Sequence, residues 1–164
     1  MRKHSKRGLL IGLGLTVALI VVAAAVGVRG EGRKDPNAAN AQAFQAIGID
    51  EDSLAEIKIL ALRGASFANE EEPKDAEIVL TTRRSAVAIN GGAWVRSNKA
   101  SYLIRMSGNF SSSEPGPVGA PSPTGIELTI VLDQKTLDIT DYAISPTRTD
   151  ITKLGTAVPL ALSD

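Results

Sequence analysis

The 164-residue chain predicts an α+β protein: an N-terminal single transmembrane helix, then a small domain of helices packed on an antiparallel sheet. Three features carry that prediction. An uncharged apolar run, Gly8 to Val28, is long enough to cross a bilayer. A capping signal followed by helical spacing begins near Asp50. From Tyr102 onward the apolar period changes from helical to two.

Residues 1–7 form a basic leader containing Arg2, Lys3, Lys6 and Arg7, and every acidic residue falls after position 30. Removing those four cations from 18 leaves 14 basic against 18 acidic residues, so the remainder is mildly acidic although the whole chain is neutral. The 21 residues of the apolar run reach about 31 Å as a helix, against roughly 30 Å of hydrocarbon. With no water in the bilayer, backbone hydrogen bonds there must close within the segment. The basic leader keeps the N-terminus cytoplasmic and sends the rest outside, opposed by Arg29, Arg33 and Lys34. The alternative is a signal peptide cleaved near Ala25, since Ala23-Ala24-Ala25 fits a small-residue site and the body would then be secreted. A retained anchor is favoured because apolarity continues to Val28. Within the span, Gly8, Gly12 and Thr16 place small residues on one face, which allows close approach of a second copy and a homodimer.

Residues 29–42 are polar and read as a tether, leaving 43–164 as the extracytoplasmic domain. A weaker helical signal covers Ala39 to Ile47. Ser53 as N-cap with Glu56 three residues later makes a capping box, with Leu54, Ile57, Leu60 and Ala61 on one face and a stop at Gly64. Asn69 to Pro73 is a polar break, and Glu77 to Thr81 is a short strand. Thr82 caps a brief helix, Arg83 to Ile89, ended by Asn90-Gly91-Gly92.

Alternation then defines three strands: Tyr102, Ile104 and Met106; Ile126, Leu128, Ile130 and Leu132; Leu137 and Ile139. Each predicts one buried face, with Arg105, Glu127, Thr129 and Asp138 on the polar one. Asp133 to Thr136 is the hairpin connection between the last two strands. Ser111 to Gly125 holds four of the chain's eight prolines and reads as a long exposed loop.

Two resemblances follow from these stretches. The apolar strand with Asp133, Thr136 and the following strand resembles the closing hairpin of PepSY-type domains, with Leu137 where that family has glycine. That likeness covers some twenty residues. It implies an exported module of helix plus antiparallel sheet that binds or restrains envelope proteases. The stretch from about Leu80 to Leu160, with LTTR before the short helix and KLGTAVPL at its end, resembles uncharacterised membrane-anchored bacterial extracytoplasmic proteins. It implies location without an activity.

The residue inventory narrows the chemistry. With no cysteine, thiol nucleophiles, disulfides and thiolate metal sites are excluded. The one histidine, His4, lies in the leader, so a histidine-based triad beyond the span is excluded. No S-x-x-K motif is present, and Lys135-Thr136-Leu137 is read as part of a hairpin turn. Asp50, Glu51 and Asp52 lack EF-hand spacing and are read as helix-start acids, and Glu70 to Glu72 as a solvated turn. No metal or cofactor is expected. Few aromatics and no basic surface argue against nucleic acid as a partner.

The expected role is therefore that of a non-enzymatic binding or regulatory module of the cell envelope. Its partners would be the lipid bilayer through 8–28 and another envelope protein, with a small-ligand or cell-wall-binding domain as the alternative. The candidate binding surface comprises Trp94 and the loop prolines Pro115, Pro117, Pro121 and Pro123. For Trp94, packing in the core or as a lid is favoured over a projecting hot spot.

Overall fold

Among the described residues three helices pack on a five-stranded antiparallel sheet whose strands, in spatial order, are Ile139–Ser145, Thr124–Asp133, Ala100–Ser111, Lys74–Thr82 and Val158–Pro159. A computed structural model describes residues 36–92, 94–112 and 121–163. The leader, the apolar run 8–28 with Gly8, Gly12 and Thr16, and Ala25 lie outside the described residues. Among the described residues no helix is long and apolar enough to cross a membrane.

Helix α1 (Pro36–Ala46) begins inside the stretch read as tether, with proline at its first position, where the missing N–H costs nothing. It ends at Gly48, whose φ of 78° turns the chain so that Ile47 and Ile49 follow Phe44 into the core. The Tyr102 hydroxyl, from the sheet, donates to the carbonyls of Ile47 and Gly48 at this helix end.

Helix α2 (Glu51–Phe67) corrects the sequence reading at both ends. Its N-cap is Asp50, three residues earlier than the expected Ser53; the Asp50 carboxylate accepts the Ser53 amide at 2.8 Å. The first-turn acids, Glu51 and Asp52, complement the helix dipole. At the other end the helix runs straight through Gly64. A Cβ there would sit 2.3 Å from Ile130 Cδ1, so this glycine is the point where the helix presses onto the sheet. The true stop is Asn69, in the left-handed region at φ 58°. Around it, Glu70 N–H bonds Ala65 C=O and Asn69 N–H bonds Ser66 C=O, the doubled closure of a Schellman end.

Strand β1 (Lys74–Thr82) is longer than the sequence signal. Helix α3 (Arg83–Ile89) matches it, with Thr82 Oγ1 accepting the Ser85 amide. Strands β2 (Ala100–Ser111) and β3 (Thr124–Asp133) pair from Ser101 opposite Asp133 to Ser111 opposite Thr124, with one irregularity between Ser107 and Phe110. The strands thus consume both ends of the expected 111–125 loop, and Gly125 is needed because a Cβ would lie 2.2 Å from the Ser145 carbonyl oxygen. Strand β4 (Ile139–Ser145) starts after Leu137, which occupies the turn at φ 57° with its side chain buried. A short 3-10 turn, η1 (Ile151–Leu154), and β5 (Val158–Pro159) complete the fold; neither carries a sequence signal.

The expectation of one buried sheet face is also corrected. The face under α1 and α2 holds Ile78, Tyr102, Ile104, Met106, Leu128, Ile130 and Leu132. The opposite face is covered as well: Val79, Leu103 and Val131 meet Ala86 of α3 and Ile151 of η1. As a result Arg105, Glu127 and Thr129, expected on a solvent face, are buried, as is Ser101. Conversely Ile126 and Ile139, expected inside, are exposed near the strand starts.

Candidate functional site

The candidate surface residues do not form one surface. Pro121 and Pro123 are exposed at the Ser111–Thr124 end of the β2–β3 pair. Trp94 precedes the opposite end of β2, where Ala100 pairs with Thr82 and Ser101 with Asp133. At about 3.3 Å per residue the strand between them spans over 30 Å. Pro115 and Pro117 lie outside the described residues.

Trp94 is 72% exposed, which corrects the favoured core reading. The physical reason lies beneath it: the space under α3 is already filled by Val79, Leu103, Val131 and Ile151. Three local features hold the tryptophan out. The Gly91 amide bonds Ala88 C=O and the Gly92 amide bonds Val87 C=O, folding the chain back along α3. The cap at Thr82 sets the helix phase and delivers two consecutive arginines with different fates. Arg83 turns to β4 and clamps the Asp141 carboxylate with Nε at 2.8 Å and Nη2 at 3.2 Å. That partner raises the Arg83 guanidinium above its ordinary value, chiefly through the hydrogen bond.

Arg84 turns to the loop instead, donating to the carbonyls of Val95 at 3.1 Å and Arg96 at 2.8 Å. Its guanidinium carbon lies 5.7 Å from the Trp94 ring centroid, and that of Arg96 is also at 5.7 Å. Both distances are cation–π contacts, worth about 0.5–1 kcal/mol at an exposed site. Among the described residues neither guanidinium has a carboxylate partner. The corner therefore shows an outward indole between two uncompensated cations, the residue types that dominate binding hot spots.

Beneath α3 and η1 lies a buried polar cluster that sequence periodicity placed in solvent. The Arg105 guanidinium donates to Glu77 and to the Thr149 carbonyl, while Glu127 Oε2 accepts the Thr149 amide at 2.8 Å. Both polar groups of one residue are thus held, pinning the β4–η1 connection to the sheet. Nearby, Asn90 Nδ2 donates to Thr129 Oγ1 at 2.8 Å. Among the described residues Arg105 Nε and Glu127 Oε1, both buried, find no hydrogen-bond partner.

Two further acids accept backbone amides. Glu70 accepts the amides of Asn109 and Glu72, which lower its carboxyl below the ordinary range and pin the irregular stretch of β2. It is therefore a strand clasp, where the sequence suggested a merely solvated turn. Asp133 accepts the amides of Lys135 and Thr136, which also lower it. Among the described residues, no three His, Cys, Asp or Glu side chains are grouped to hold a metal ion.

The other face carries a concave feature. A groove of about 300 Å³ runs between the C-terminal half of α2 and the sheet, floored by Leu128 and Ile130 and walled by Phe67, Ile139 and Tyr142. Phe67 and Tyr142 meet edge to face at 6.2 Å. No protein-family model, curated protein or solved structure matches this chain.

Proposed function

We propose that the chain is a single-pass membrane-anchored extracytoplasmic domain, N-terminus in the cytoplasm, that works without catalysis by binding another protein of the cell envelope. The observation that carries the reading is the Trp94 corner. An indole exposed to 72% and braced by Arg84 and Arg96 would bury large apolar area and two charge-assisted hydrogen bonds against an acidic partner. The apolar run 8–28 behind a basic leader supports the anchorage. A photo-crosslinking residue in place of Trp94, in the full chain in its native membrane, is expected to trap a discrete acidic protein. Arg84→Ala combined with Arg96→Ala should remove that adduct. Capture no higher than from an exposed control such as Lys153 would refute the assignment.

A second reading, a small-ligand-binding domain, is favoured by one separate observation: the apolar groove beneath α2. It lies on the α1/α2 face of the sheet, away from Trp94, so the two readings are independently testable.

A further inference from the structure

The geometry points to the α2 groove as the site of a slim amphipathic carboxylate, an unbranched acyl chain ending in a single carboxylate headgroup. The inference rests on the second reading above. Three observations set the ligand class. The lining is almost wholly apolar, and Phe67 is 51%, Ile139 44% and Tyr142 42% exposed. The volume, about 300 Å³, stands at the lower limit of small-molecule sites and suits one narrow chain better than a fused ring system. Such narrowness has a structural cause. Gly64 brings α2 so close to the sheet that its absent Cβ would touch Ile130, leaving a slot beside the helix and no broad cavity under it.

The headgroup follows from Arg63, the one charged residue of the lining. Its neighbours one helical turn away are Ile59, Leu60, Ser66 and Phe67, so no carboxylate lies within i±3 or i±4 reach. Among the described residues it forms no salt bridge or hydrogen bond. A guanidinium at the rim of an apolar slot recognises a carboxylate by two parallel N–H···O contacts. One cation balances one negative charge, which favours a carboxylate over a doubly charged phosphate monoester. Ile59, one turn before Arg63 on the same helix face, is 56% exposed and adds apolar surface beside the headgroup position.

The test uses the full chain in nanodiscs of zwitterionic lipid, labelled at isoleucine δ1 methyls, titrated with octanoate, octanol and octylammonium. Octanoate is expected to shift the Ile130 and Ile139 methyls saturably while those of Ile47 and Ile151 stay in place. Octylammonium should bind more weakly than octanol. Arg63→Gln should weaken octanoate about tenfold, the size of a lost charged hydrogen bond, and leave octanol unchanged. Equal binding of octanoate and octanol, or no effect of Arg63→Gln, would overturn the carboxylate assignment while the ligand-binding reading stands. Absence of saturable shifts at Ile130 and Ile139 with every probe would overturn both.

Discussion

Replacing Arg105 with Met keeps most of the side chain's length and apolar stem while deleting the guanidinium from the closed face of the sheet. Arg105 is 8% exposed and Glu127 1%. The substitution removes a charged hydrogen bond to the Thr149 carbonyl and the ion pair to Glu77, and it loosens the Thr149 segment whose amide the buried Glu127 carboxylate accepts. Glu77 has a side chain 30% exposed and can turn to water, so its share is small. The Thr149 carbonyl and Glu127 cannot. A charged hydrogen bond counts for about 1.5–3 kcal/mol, and breaking a buried charge network typically costs about 3–5 kcal/mol. The expected loss is therefore about 3–5 kcal/mol, at least about a fifth of the 5–15 kcal/mol typical of a domain. Urea unfolding of the full chain in detergent, followed by far-ultraviolet circular dichroism, reads this directly. At a slope near 2 kcal/mol/M the midpoint should fall by about 2 M. Glu127→Gln keeps an acceptor for the Thr149 amide and should cost about 1 kcal/mol. The double substitution should then lose less than the sum by at least about 1 kcal/mol, because both side chains hold the same residue, Thr149, and the first change already loosens it. A midpoint shift below about 0.5 M, or strict additivity, would show that Arg105 is effectively solvated and that the buried clamp on Thr149 contributes nothing.

Gly64→Ala gains about 1 kcal/mol of helix propensity, yet its Cβ meets Ile130 Cδ1, and overpacking costs about 1–3 kcal/mol. Net destabilisation is expected, relieved by Ile130→Val in a double-mutant cycle; stabilisation by Gly64→Ala alone would contradict the contact. Leu137→Gly relieves a left-handed residue by about 1–2 kcal/mol but vacates a buried leucine for about 2–5 kcal/mol, so thermal unfolding should still fall. Asn69→Ala should cost more than Asn69→Gly: both lose the amide bonds to Ser111, and only alanine also strains the left-handed stop, by about 1 kcal/mol. Acid should destabilise the fold in a defined direction. The carboxyls of Asp50, Glu70, Asp133 and Asp150 are held below their ordinary values by hydrogen bonds, so their stabilisation is complete above the unfolded values of 3.8 for Asp and 4.5 for Glu. It is lost as pH falls through the lower folded values. Glu70→Gln should make that acid limb shallower, and an unchanged limb would remove Glu70 from the account.

The parts legible in the sequence are those whose physics is local. A hydroxyl cap and a seven-residue helix between Thr82 and Asn90 can be read because capping involves residues three apart. The strands around Tyr102 and Leu128 can be read because alternation needs no knowledge of the partner. Misreadings occur where a local signal had two uses. Gly64 looked like a helix terminator and is a contact point; Asn69, in a run read as a polar break, is the terminator. Ser53 looked like a cap and instead donates its amide to Asp50, the residue that is the cap. Leu103 and Val131, apolar on a face read as polar, were the available hint that the second face is covered. The candidate surface was legible only as a set of residue types, since nothing in the order of residues says that Trp94 and Pro123 end up at opposite ends of one strand pair.

What the sequence determined unaided is the class of the molecule: a basic leader, an apolar run of bilayer length, and a body of helices and alternating strands free of cysteine and histidine. These follow from composition and short-range periodicity, which operate before any long-range contact exists. Tertiary structure alone decided which faces close, and therefore that Arg105 and Glu127 are buried while Trp94 is outside. It also decided that α2 stands close enough to the sheet to leave a narrow apolar slot beside Arg63. Burial is a property of what a distant segment covers, and for this chain the covering segments, α3 and η1, reach the sheet through contacts that no local window contains.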